Sequence, residues 1–245
     1  DGGSLTLTGG STDANATLPP VGVTVGTDGA ILLSGLTMNV EGGSTVAGGD
    51  NGDGGSFGAA SILDDITVNS DCEFNLQGGT PGPNHLLAAT AGGDGGSFTL
   101  NADAGTSLTS AAADDVANGT IILNGRVITD GGDGRASDGG LAGTVTLSGG
   151  DIEIGAGNGS AQIITNGGSH SIPGGVGGND GGDAGSVTIT TDLTNGAGDN
   201  GADNDGLITI EAGGSIVSIG GACETGVAGD GNTILLNTST LELSL

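Results

Sequence analysis

The sequence predicts an all-β chain folded as a parallel β-solenoid (a β-helix) with long Gly/Asp-rich loops. Three observations carry that expectation. First, Gly92-Gly93-Asp94-Gly95-Gly96-Ser97-Phe98-Thr99-Leu100 returns 89 residues later as Gly181-Gly182-Asp183-Ala184-Gly185-Ser186-Val187-Thr188-Ile189. Second, the hydrophobic residues gather in short β-branched runs separated by glycine clusters, the pattern of strands between turns. Third, the chain has 57 glycines, no Trp, no Tyr and three Phe in 245 residues. A narrow core stacked from Ile, Leu, Val and Ala suits that composition better than one filled with bulky aromatics. A β-sandwich with glycine-rich loops is the alternative.

The repeat sets the organisation. Gly42-Gly43, Gly131-Gly132 and Gly220-Gly221 are each 89 apart, as are Gly78-Gly79 and Gly167-Gly168. No proline-rich or charged linker breaks the period. One domain over residues 1–245 is expected, with partial repeats at 1–41 and 220–245 and full repeats at 42–130 and 131–219. Four recurrent glycine-to-strand anchors per unit imply a winding of about 22 residues. Glycine with Asp or Asn at the corners supplies the backbone conformations that sharp turns need.

In chain order, strands are expected at Ser4–Thr8, Val21–Val25, Ile31–Leu33 and Leu36–Val40, then at Ile66–Val68, Glu73–Leu76 and Ser97–Leu100. They continue at Thr144–Leu147, Asp151–Ile154, Ala161–Ile164, Ser186–Ile189, Leu207–Ile210 and Ser215–Ile219. The last two are Thr233–Leu236 and Leu241–Leu245. Within each, alternation puts apolar residues on one face and Thr, Ser or Asp on the other. Asp50–Gly54 reads as a polar loop, the double glycines as stops, and Ala111–Asp115 as a short helical turn.

Charge excludes several partners. There are 29 acidic residues against two basic ones, Arg126 and Arg135, for a net charge of -27. Such a chain repels nucleic acid and anionic lipid. No stretch of 18 apolar residues is present, so no membrane span is expected. The start at Asp1 reads as a processed, secreted product placed outside the cell or on its surface.

Each candidate for chemistry has a plainer reading. Asp50, Asp53, Asp203 and Asp205 stand in glycine loops that offer oxygen ligands to calcium, the only cofactor suggested; solvated turn residues are the plainer reading. Cys72 and Cys223 are disulfide candidates or two unpaired apolar residues, at different phases of the repeat. His85 and His170 lie in loops at different phases too, and no Ser/His/Asp set is defined, so the chain is not read as an enzyme. Outward threonines such as Thr6, Thr8, Thr144, Thr146, Thr188, Thr190 and Thr191 suggest an ice-binding array, but their register looks too irregular across the repeats, and β-propensity explains them. Sequons occur at Asn15, Asn118, Asn158 and Asn237.

The termini are more informative. Neither end looks capped, and the chain closes on apolar strands. Thr233, Ile234, Leu235, Leu236, Leu241, Leu243 and Leu245 are therefore expected at a subunit interface, with Leu5 and Leu7 of the first strand as acceptor. An apolar strand of this kind adds to the sheet edge of a neighbour.

Glycine-rich loops, Asp/Thr-rich strands, few aromatics and a long repeat give the whole chain a class-level resemblance to secreted β-solenoid proteins of microbial surfaces, including extracellular fibre subunits and haemagglutinin-like adhesin stalks. The resemblance implies a structural or adhesive element outside the cell. The expected function is a subunit of an extracellular filament or sheath, a homopolymer built head to tail. The alternative is a fragment of a surface adhesin that binds calcium or glycans.

Overall fold

Alternating apolar and hydroxyl residues form the strands, and parallel pairing between distant strands assembles them. The structure, a computed structural model, describes residues 4–8, 17–18, 23–25, 30–44, 51–61, 65–82, 89–102, 119–171, 180–191, 206–224 and 226–244. Strands are numbered in chain order. Sheet A contains β1 (Ser4–Thr8), β6 (Ser56–Ala60), β9 (Ser97–Asn101), β13 (Thr144–Gly149), β17 (Val187–Thr191) and β20 (Ile234–Asn237). Sheet B contains β2 (Thr17–Leu18), β3 (Val23–Val25), β4 (Ile31–Leu33), β7 (Ile66–Val68), β10 (Ile121–Leu123), β14 (Ile152–Ile154), β18 (Leu207–Ile210) and β21 (Thr240–Leu243). Sheet C contains β5 (Thr37–Asn39), β8 (Glu73–Asn75), β11 (Arg126–Ile128), β15 (Gln162–Ile164) and β19 (Ser215–Val217). A small fourth sheet pairs β12 (Gly134–Arg135) with β16 (His170–Ser171).

The chain visits A, B and C in that order and then returns to A beside its previous strand. Among the described residues all strand pairs are parallel except β2–β3 and β3–β4. The fold is therefore all-β with three parallel sheets, an arrangement compatible with a β-helix, and it departs from the antiparallel pairing expected of a sandwich. Phe98 pairs with Val145, and Val145 with Val187, so successive circuits take 47 and 42 residues. The 89-residue unit is thus two long circuits, not four short ones.

Parallel register stacks like on like. Ile31, Ile66, Ile121, Ile152 and Ile208 form one continuous buried column in sheet B. Ala59, Leu100, Leu147 and Ile189 form another in sheet A. The chain's three phenylalanines meet in one cluster, with ring centroids 4.6 Å apart for Phe57 and Phe74, 5.3 Å for Phe57 and Phe98, and 5.0 Å for Phe74 and Phe98.

The double glycines are not stops. They form a hydrogen-bonded ladder joining the segment that leaves sheet C to the segment that approaches sheet A. The N–H of Gly79 donates to Gly52 (2.9 Å), Gly93 to Gly79 (3.0 Å), Gly132 to Gly93 (2.8 Å), Gly140 to Gly132 (2.8 Å), Gly168 to Gly140 (2.9 Å) and Gly182 to Gly168 (2.8 Å). Gly221 and Gly229 continue it. The two segments interleave so closely that only hydrogen fits at Cα: a Cβ on Gly132 would stand 2.0 Å from the carbonyl oxygen of Gly79. Glycine is needed here for close approach, not for left-handed geometry.

Other strands fall near the expected positions, with ends shifted by a residue or two. β2, β6, β10, β11 and the two short strands of the fourth sheet were not expected. The helical element among the described residues is a 3-10 turn at Ala156–Asn158; the expected helical turn at 111–115 lies outside them.

Candidate functional site

β20 and β21 are the last strands of sheets A and B, and their apolar residues continue the core columns. Ile234 pairs with Val187 and Leu236 with Ile189; Leu241 pairs with Ile208 and Leu243 with Ile210. Val187, Ile189 and Ile208 are buried, but Ile234 is 42% exposed, Leu241 45% and Leu243 61%. Leu236 is partly covered. Leu235 takes the outward position of Thr188 and is exposed. Thr233 precedes β20, and its carbonyl accepts the Val187 N–H at 3.0 Å. Leu245 lies outside the described residues. The last circuit therefore presents core-register side chains to solvent, together with free backbone edges.

At the opposite edge of sheet A stands β1. Leu5 pairs with Phe57 and Leu7 with Ala59, so they occupy the same register columns as Ile234 and Leu236. The two strands expected to meet between subunits thus lie at the two edges of one sheet. Sheet B differs. Its first edge is closed by the antiparallel pair β2–β3 laid on β4, which corrects the expectation that neither end is capped.

The acidic loop residues act as braces between circuits. The Asp53 carboxylate accepts the N–H of Asp94 at 3.0 Å, and that of Asp94 accepts the N–H of Leu141 at 2.8 Å. A second column runs from Asp138, which accepts the N–H of Asp180 at 2.9 Å, to Asp180, which accepts the N–H of Val227 at 2.8 Å. Each carboxylate secures an amide of the following circuit, a charge-assisted bond stronger than a neutral one. Asp53 is the one calcium candidate within the described residues; Asp50, Asp203 and Asp205 lie outside them. No group of three His, Cys, Asp or Glu is placed to hold a metal among the described residues.

Asp130 is the most enclosed of these carboxylates. It accepts the N–H of Asn166 at 2.6 Å and Nε2 of Gln77 at 3.4 Å. Burial pushes its pKa above the ordinary carboxylate value, against the opposing pull of the Asn166 amide.

Neither Cys72 nor Cys223 is in a disulfide among the described residues. Cys72 is buried in the corner between β7 and β8, and burial pushes its pKa up. Cys223 is half-buried beyond β19, and its Sγ accepts the N–H of Gly226 at 2.8 Å. His170 is buried, with Nδ1 2.8 Å from the Ser137 carbonyl oxygen; its Nε2 makes no hydrogen bond among the described residues. His85 lies outside the described residues, as do Asn15 and Asn118 of the sequons; Asn237 ends β20 and is exposed.

The outward face of sheet A corrects the expectation of irregular threonines. Thr99, Thr146 and Thr188 stand in one column. Ser97 and Thr144 stand beside it on one side, and Asn101, Ser148, Thr190 and Asn237 on the other. Unequal circuit lengths hide this alignment in the sequence.

Among the described residues no helix is long and apolar enough to cross a membrane. No family model, curated protein or solved structure matches the chain.

Proposed function

We propose that this chain is a parallel β-solenoid that serves as the structural subunit of an extracellular filament or sheath, polymerising head to tail through its terminal strands. The observation that carries this reading is the exposure of Ile234 and Leu241 at positions whose partners one circuit earlier, Val187 and Ile208, are inside the core; Leu243 is exposed beside the partly buried Ile210. An added strand covers such residues and satisfies the free amides and carbonyls of the edge. Sheet A offers the register directly, Leu5 following Ile234 and Leu7 following Leu236. Head-to-tail addition of this kind does not close, so it yields a filament. In sheet B, β2–β3 stands where the neighbour's β21 would reach β4. Addition therefore begins at sheet A, and sheet B continues only once that pair has moved. The net charge of -27 opposes side-by-side association and favours growth in single file.

The test is negative-stain electron microscopy of the intact chain, of the chain lacking residues 233–245, and of Ile234→Lys, which places a charge in the exposed sheet A column without removing a strand. Filaments from the intact chain that vanish in both variants support the reading. Monodisperse particles from the intact chain, in calcium and in chelator alike, overturn it.

A further inference from the structure

We propose that the outer face of sheet A is an ice-binding surface. The proposal concerns the side of the fold, not its ends, and does not depend on polymerisation.

The first observation is the hydroxyl lattice. Ser97, Thr99 and Asn101 on β9 lie beside Thr144, Thr146 and Ser148 on β13, and Thr188 and Thr190 follow on β17. Parallel strands set the column spacing at about 4.8 Å, and alternate residues along a strand stand about 6.6 Å apart. These two repeats approximate the oxygen repeats along the two axes of a prism plane of hexagonal ice. Strand pairing holds the lattice rigidly, so little side-chain freedom is lost when water orders on it. β-branching confines each threonine hydroxyl to few rotamers.

The second observation is charge. The chain carries 29 acidic residues, yet no outward position of β6, β9, β13, β17 or β20 is charged: they are Ser56, Gly58, Ala60, the hydroxyl and amide residues just named, Leu235 and Asn237. The outward positions of sheet B include Glu153 and Glu242, and those of sheet C include Glu73 and Arg126. An ionised side chain orients its own hydration shell and breaks an ordered water layer, so a face cleared of charge in so acidic a chain suits a neutral lattice. Crystalline polysaccharide is the other flat hydroxyl-bearing surface. It is disfavoured because sugar faces are held by aromatic rings; Tyr and Trp are absent, and all three phenylalanines are buried.

The experiment is ice growth in a nanolitre osmometer with the intact 245-residue chain, Thr146→Lys at the centre of the lattice, and Gln162→Lys on the outer face of sheet C as a control for added charge. Far-UV circular dichroism melts establish that all three fold alike. The expected result is a freezing-point gap with faceted crystals for the intact chain and for Gln162→Lys, and a gap reduced to the buffer level for Thr146→Lys. Unfaceted growth with the intact chain, or an undiminished gap in Thr146→Lys, overturns the proposal. Binding to cellulose or chitin powder without any effect on ice also overturns it.

Discussion

A methyl group on Gly140 would lie 1.9 Å from the carbonyl oxygen of Gly93. The obstacle is backbone, held by the hydrogen bonds of the ladder, and has no rotamer into which to retreat. Gly140→Ala is therefore expected to destabilise the fold by about 4 kcal/mol or more, read from the urea midpoint. Gly231 has open space around its Cα; Gly231→Ala should change stability by no more than about 0.5 kcal/mol. Equal effects of the two substitutions would refute the ladder.

Asp180 accepts the Val227 amide, and its own amide is held by Asp138. Asp180→Ala removes the acceptor and should cost about 1 kcal/mol. Asp180→Asn keeps an acceptor and removes one of two stacked like charges. It should be more stable than Asp180→Ala, and its stability relative to the parent should rise as salt falls. The neutral amide gives up the charge assistance of the bond but also the repulsion, which is least screened at low salt. Thermal melts at two ionic strengths separate the brace from the repulsion.

Asp130 has a pKa raised above the ordinary carboxylate value of 3.8 by burial. The folded protein therefore holds this proton more tightly than the unfolded chain, and its contribution to stability is greatest below that ordinary value and is lost as pH rises through the raised one. Asp130→Asn mimics the protonated form and retains an oxygen for the Asn166 amide. Its stability relative to the parent should increase between acid and neutral pH. A difference that stays flat with pH would count against burial as the cause.

The two thiols should differ in reactivity. Cys72 is buried and its thiolate is disfavoured, whereas Cys223 is half-exposed. Iodoacetamide at neutral pH should label Cys223 in the folded protein and reach Cys72 only on unfolding, as followed by peptide mass spectrometry. No intramolecular disulfide should appear on oxidation, since the two residues occupy different corners of the fold.

Most strands were legible because their signal is local. Ile66-Thr67-Val68 and Thr144-Val145-Thr146-Leu147 alternate whatever surrounds them. β6 was hidden because Ser56-Phe57-Gly58-Ala59-Ala60 has glycine at its centre and weak β-formers after it. A signal for it was nonetheless present: Asp53-Gly54-Gly55-Ser56-Phe57 repeats Asp94-Gly95-Gly96-Ser97-Phe98 at a distance of 41 residues. That distance marks one circuit and would have shown the 89-residue unit to be double. β10 and β11 were both missed: each is three residues long, and Asn124-Gly125 between them is a tight corner from one sheet to the next.

The candidate interface was legible in part. Apolar residues in the last two strands are plain in the sequence, but their exposure depends on whether a further circuit covers them. The braces were not legible, because an Asp in a glycine loop looks the same whether it faces water, a cation or an amide 47 residues away. The face of sheet A was hidden for a related reason, since its columns join residues 42 and 47 apart and no single period aligns them.

Residue pattern alone thus settles that this chain is all-β, acidic, repetitive and built on an aliphatic core, because those properties depend on composition and nearest neighbours. Only the folded chain decides the number of circuits in a repeat, the fate of the double glycines and the partners of the aspartates. Those depend on which distant backbones lie side by side. In parallel pairing that choice is made by the lengths of the intervening loops and the close approach of glycine to glycine, neither of which any local stretch of sequence specifies.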